Sequence, residues 1–441
     1  MRKFVSALLP ILAACATILA GSGCDFRPEK GRPPECTTNR HSQNHPSSNS
    51  LDHGSNTYSN YIASVALPFY TRYWVTPFLA SEEANKPYSK MALQLLEADA
   101  FGMAANWKTG LADIRSLTPA LINAGCTYPV IRWMYAMHLA QEDRTDEALN
   151  VLLSLSSEMD TPQTWPSPWR ILICSSIRNL TPYAPEIEGA ASNVFFGALK
   201  DGTFKETETR VAWRFLCACD MESSTGLEKI LRSHYGAHID PWFALMLQGV
   251  HGYNKAWTAR GTGFANTVTN EGWEGFGNHI TQSQKFLSQA WALHPEIPET
   301  ACEMIHSSRG DSKACRLWFD RAIHAEIDNE GAYYAYRFTL RPRWGGSLDQ
   351  MEALADDAYN TGRFETDAPL QAVFSYFEIA DELRENWQDI FRKPGVYEKC
   401  KRAIDARLNR TFDNNRARQN HFNTALAYAA FGAGDFDTAG Q

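Results

Sequence analysis

From Tyr58 onward, large apolar residues return every three or four positions with few breaks, and that period leaves one fold class open. Leu93, Leu95, Leu96, Ala98 and Phe101 show the spacing. On an α-helix such positions share one face, whereas a half-buried strand would need strict alternation, which is absent. The breaks are short clusters of Gly, Pro, Asp and Asn, residues that end helices and make turns. Many medium-length helices joined by short turns predict an all-α fold of stacked helical hairpins, an α/α solenoid.

Three blocks suggest that the hairpins repeat. Asp146-Glu147-Ala148, followed by Leu149, Leu152 and Leu155, places a small residue and larger ones on one helix face. Leu287, Ala290, Trp291, Leu293 and Pro295 describe a helix ending before proline, and Phe319, Ala322 and Ile323 repeat its core 32 residues later. Leu426-Ala427-Tyr428-Ala429-Ala430 leads into Gly434-Asp435-Phe436-Asp437-Thr438-Ala439. There the small residues let two helices approach, Gly and Asp make the turn, and the aromatic ring wedges between. Together the blocks resemble the tetratricopeptide (TPR) repeat, whose period is about 34 residues. The sequence stops at Gln441, where the second helix of that last hairpin would be starting. The final repeat is therefore expected to be incomplete, as in a fragment of a longer chain.

The N-terminus is of another kind. Arg2 and Lys3 precede an apolar run from Phe4 to Leu19, then small residues and Cys24. That run falls short of the about 20 apolar residues a membrane span requires, and its charged-apolar-small order is that of a signal peptide. Gly21-Ser22-Gly23-Cys24 meets the size rule for lipoprotein processing, so residues 1–23 are expected to be removed and Cys24 to carry lipid. Leu12-Ala13-Ala14-Cys15 fits the lipobox pattern too, and makes Cys15 the alternative. Residues 24–57, rich in Pro, Ser, Asn and Arg, bury too little apolar surface to fold and read as a disordered tether. The folded remainder is expected to divide into residues 58–235, an N-terminal helical region, and 236–441, a TPR-like domain. The chain would then be exported to the cell envelope, periplasmic or surface-exposed, touching the membrane through the N-terminal lipid only. Losing Arg2 and Lys3 takes the formal charge from -8 to -10, which argues against nucleic acid as a partner.

Ten cysteines are present, and an oxidising compartment permits disulfides. Cys302 and Cys315 flank a predicted helix–helix turn and form a candidate pair. No paired CxxC zinc spacing occurs, and Gly236 and Pro241 make His234 and His238 a poor helical metal pair. His41, His45 and His53 with Cys36 are scattered along the tether. Neither HExxH, GxSxG nor a P-loop is found, so no catalytic residue, cofactor or metal is expected.

Residues 240–375 hold three further segments: Ala256-Trp257-Thr258-Ala259-Arg260-Gly261-Thr262-Gly263, Val268-Thr269-Asn270-Glu271-Gly272-Trp273, and Leu340-Arg341-Pro342-Arg343-Trp344-Gly345-Gly346-Ser347. With these the chain resembles a bacterial family of exported, TPR-like proteins of unknown function. The resemblance covers about a third of the chain and implies a fold but no chemistry. Physically, the residue before Pro342 is restricted from helical angles, Gly345-Gly346 permits positive φ, and Ser347 and Thr269 can cap the helices that follow. Trp344 can plug the joint. Alternatively, Arg341 and Arg343 beside a glycine turn and a helix N-terminus can hold an anion. The loop from Arg260 to Asn270 is long for a helical repeat, as functional loops often are. The candidate binding surface is therefore Trp257, Arg260, Glu271, Trp273, Arg341, Arg343 and Trp344. The expected function is binding of a protein or peptide on the concave face of a lipid-anchored repeat protein. The alternative is a periplasmic or surface enzyme with an all-helical fold, working through carboxylates that need no local motif.

Overall fold

A computed structural model describes residues 55–106, 116–159, 165–181, 185–218, 240–410 and 416–435. The signal, Cys15, Cys24, residues 24–54 of the expected tether, His234, His238 and the Phe436–Ala439 block lie outside the described residues. Among the described residues every regular element is helical, and no helix is long and apolar enough to cross a membrane. The fold is all-α. Two compact units are present, Ser59–Leu247 and Gln248–Gln441, the second taking in the segment up to Tyr58. Their division falls inside the helix Pro241–Arg260, beyond the expected limit at residue 235.

The first unit holds α1 (Leu67–Trp74), α2 (Ser89–Asn106), α3 (Thr118–Asn123), α4 (Pro129–Gln141), α5 (Thr145–Glu158), α6 (Ser167–Leu180), α7 (Pro185–Lys200) and α8 (Thr209–Ala218). Proline stands in the first turn of α3, α4 and α6, where its missing N–H has no helical partner to lose. Consecutive helices pack as pairs, α4 on α5 and α6 on α7. Ala148, Leu152 and Leu155 of α5 are all buried, as their spacing predicts. Trp74 is fully buried, and its indole N–H donates to Asp99 Oδ2 at 2.7 Å.

The second unit holds α9 (Pro241–Arg260, from Gln248), α10 (Asn270–Leu293), α11 (Pro298–Ser307), α12 (Ser312–Ala325), α13 (Glu330–Leu340), α14 (Leu348–Asn360), α15 (Leu370–Leu383), α16 (Val396–Leu408) and α17 (Arg416–Ala433). The starts of α10, α12, α13 and α14 are capped by the side chains of Thr269, Asp311, Asn329 and Ser347, each accepting from a backbone N–H one turn in. Helix α11 packs on α10, α12 and α13, and the buried Leu287, Ala290, Phe319, Ala322 and Ile323 fill the layers between.

Two glycines set the crossing of α9 and α10. A Cβ on Gly252 would lie 3.2 Å from the Cα of Ser283, and the Ser283 hydroxyl donates to Gly249 O at 2.7 Å. Backbone cannot retreat as a side-chain tip can. Gly252→Val is expected to destabilise the unit by about 1–3 kcal/mol through overpacking, measured by thermal unfolding. An unchanged melting temperature would refute the close crossing.

The N-terminal arm is held where disorder was expected up to residue 57. Ile327 N–H donates to Asn56 O at 3.1 Å, and Tyr58 N–H donates to Asp328 Oδ1 at 2.7 Å. One backbone–backbone bond and one bond from a backbone N–H to the Asp328 carboxylate, both on a buried turn, supply what the polar composition of the arm does not.

Candidate functional site

The second unit gathers the residues singled out around Arg260 into one cluster. Arg260 ends α9, and its Nη1 donates to the carbonyls of Gly261 and Gly263 at 3.1 and 3.0 Å. So fixed, its guanidinium lies 5.3 Å from the Trp257 ring centre and 5.2 Å from that of Trp273. Phe276 stands edge-on to both indoles, at 5.4 and 5.9 Å. Trp273 is 41% exposed, and Phe264 in the intervening loop 45%. Glu271 serves the start of α10: its own backbone N–H and the Thr269 hydroxyl hold its carboxyl below the usual range.

The Arg341–Trp344 turn forms as its residues dictate. Helix α13 stops at Leu340, Arg341 is extended before Pro342, and Gly345 takes φ +92°. Gly346 has a different role: a Cβ there would meet the Leu340 carbonyl oxygen at 2.1 Å.

Three expectations need correcting. Trp344 does not plug the joint. It is 45% exposed and leans on Phe338 with ring centres 5.2 Å apart, because the tight turn carries the indole outward. Arg341 and Arg343 do not present an open anion site. Arg341 pairs with Glu378 at 3.0 Å and lies 3.6 Å from Glu382, while Arg343 pairs with Glu382 at 2.8 Å. Cys302 and Cys315 form no disulfide with each other, and both are buried. Their thiols face different partners: Cys302 donates to Asn329 Oδ1 and Cys315 to the carbonyl oxygen of Ser308.

Behind the turn the charges go deep. Arg337 is 2% exposed and donates to Gln371 Oε1 at 2.8 Å and Glu378 Oε1 at 3.1 Å. Burial opposes ionisation of Glu378, but the guanidiniums of Arg337 and Arg341 outweigh it and hold its carboxyl below the usual range.

Sequence reasoning did not identify the residues that join the two clusters. Tyr253 of α9 packs edge-on to Trp257, with ring centres 6.2 Å apart. Its hydroxyl accepts from Arg309 Nη1 at 3.3 Å. Arg309 lies 4.3 Å above the Phe338 ring, which in turn touches Trp344. A continuous run of rings and guanidiniums thus extends from Trp273 to Trp344. Part of the signal was present: Tyr253, Trp257 and Arg260 recur at helical spacing, and Arg337/Arg341 face Glu378/Glu382, both pairs four apart. Nothing local joins Arg309 to either segment.

Two titratable groups of α11 border this run. Burial, aided by Arg309, pushes His306 down to about 3 and keeps it neutral. Burial raises Glu303 to about 7 despite the attraction of Arg309. Among the described residues no group of three or more His, Cys, Asp or Glu is arranged to hold a metal ion. Comparison with protein-family models, with curated proteins and with solved structures found no match.

Proposed function

We propose that this chain is an envelope-anchored helical-repeat protein that binds a protein or peptide partner through the Trp273–Trp344 face of its second unit. The observation that supports this is the exposure of Trp273 and Trp344 at the two ends of one run of rings interleaved with arginines, with Phe264 exposed in the adjoining loop. Apolar surface on that scale costs free energy in water, and Trp, Tyr and Arg are the side chains that dominate binding hot spots. The TPR-like resemblance of residues 240–375 belongs to the same proposal, since stacked hairpins offer extended recognition surfaces. So do the signal peptide and a lipid on Cys24, which would hold that surface at a membrane.

Cross-linking in intact cells followed by capture of the full chain should recover a saturable partner. Trp273→Ala and Trp344→Ala should each weaken its capture about tenfold, the scale of a hot-spot truncation. Undiminished capture by both variants would refute the face. For the anchor, acyl label should survive Cys15→Ala and disappear in Cys24→Ala, and the reverse would move the lipid to Cys15.

A further inference from the structure

Arg309 differs in its surroundings from the arginines of α13 and the turn after it. Arg337, Arg341 and Arg343 all meet carboxylates. Arg309 is half-buried and has no ion pair within 4 Å among the described residues. Its Nη2 bonds to His306 Nδ1 at 2.7 Å, its Nη1 donates to the Tyr253 hydroxyl at 3.3 Å, and its Nε is buried without a partner. The Phe338 ring centre lies 4.3 Å from its guanidinium carbon. All of these supports are neutral. A guanidinium does not lose its proton in proteins, so a half-buried one without a counter-ion keeps an unrelieved desolvation cost. Two of its five N–H groups are used.

We propose that Arg309, braced by His306 and Tyr253, is a subsite that takes one carboxylate of the bound partner, either an acidic side chain or a peptide C-terminus. The inference rests on the binding face proposed above and adds the chemistry recognised there. A carboxylate fits because the guanidinium edge presents paired donors to paired oxygens and because a single unbalanced charge matches a monoanion.

Glu303, one turn before His306 on α11, is the internal competitor. It makes no hydrogen bond among the described residues and feels the Arg309 charge. With its pKa pushed to about 7, it is neutral in mildly acidic solution and leaves Arg309 to a ligand. Above neutrality it ionises and offsets Arg309. His306 is held neutral, and burial pushes the Cys315 thiol up to about 11. Asp311 caps α12, and Arg341, also beside Phe338, is bound to Glu378. Carboxylate binding should therefore strengthen as pH falls from 8 to 6.

The test selects peptides from a random library on the full chain. The best is then compared with versions carrying Gln or Asn for each acidic side chain, and with its C-terminal carboxamide. For wild type at pH 6, removing one carboxylate should weaken binding at least tenfold. The version that does so tells side chain from C-terminus. In Arg309→Gln that same change should matter less than twofold, with Arg309→Lys intermediate and an unchanged circular-dichroism melt as the folding control. Glu303→Gln should abolish the pH dependence. If peptides bind through Trp273 yet every carboxylate is equally dispensable in wild type and Arg309→Gln, the subsite is refuted and the face stands. If no Trp273-dependent peptide is found, the face falls. The subsite is then judged by titrating N-acetylglycine, a monoanion, against the arginine side-chain N–H resonances. A saturable shift absent from Arg309→Gln upholds it, while no saturation, or an equal response to sulfate, overturns it.

Discussion

Glu378→Ala is expected to destabilise the second unit by about 3–5 kcal/mol, the cost of leaving a buried charge without its partner. Arg337 is 2% exposed and would keep only the Gln371 carbonyl, while Arg341 would lose its 3.0 Å ion pair. Chemical denaturation followed by circular dichroism measures this. Arg337→Met combined with Glu378→Leu should recover most of the loss, because a buried ion pair and an apolar pair of similar volume are often nearly equivalent. A single variant with less than about 1 kcal/mol of effect would show that water reaches the pair and screens it. Helix α13 and the turn after it depend on this network, since Glu378 ties α15 to α13 and Glu382 ties α15 to the Arg343 segment.

Glu303→Gln should act in the opposite direction and only at higher pH. The folded carboxyl titrates near about 7, above its ordinary value of 4.5, chiefly because burial disfavours its charge. A group with a raised folded pKa contributes its stability fully below the unfolded value and loses it as pH rises through the folded one. Wild type should therefore match Glu303→Gln at pH 4 and fall behind it progressively between pH 4.5 and 7. The gap at pH 8 should approach about 3 kcal/mol, at 1.36 kcal/mol per pKa unit. Urea unfolding of both proteins at pH 4, 6 and 8 measures it, and a gap independent of pH would show that Glu303 is solvated in the fold. The same substitution should leave the Arg309 subsite open at every pH, which links stability and binding through one proton.

The features readable in advance share a short range. Thr269 and Ser347 cap their helices, α13 ends at Leu340, and Gly345 carries the positive φ. Each is decided within about one helical turn by sterics or by a donor three residues away. Trp257, Arg260 and Trp273 come together across a long loop bounded by aromatics, which is visible as composition. Their neighbours are not. Tyr253 and Arg309 are 56 residues apart, Arg337 and Glu378 41, and Gly249 and Ser283 34. No periodicity announces such pairs. The partners of Arg341, Arg343, Cys302 and Cys315 are set by what another helix brings near.

By itself, then, the sequence determined the helices of this protein, their caps and stops, and the faces they bury. Apolar period and capping act through the chain's own nearest turns, so no neighbour is needed to know them. Only the tertiary structure decided which charges are neutralised. Glu378 and Glu382 reach Arg341 and Arg343 across a helix interface, while Arg309 is left with only neutral hydrogen-bond partners. Charge pairing depends on distances between helices far apart in sequence, and those distances exist only once the layers have packed.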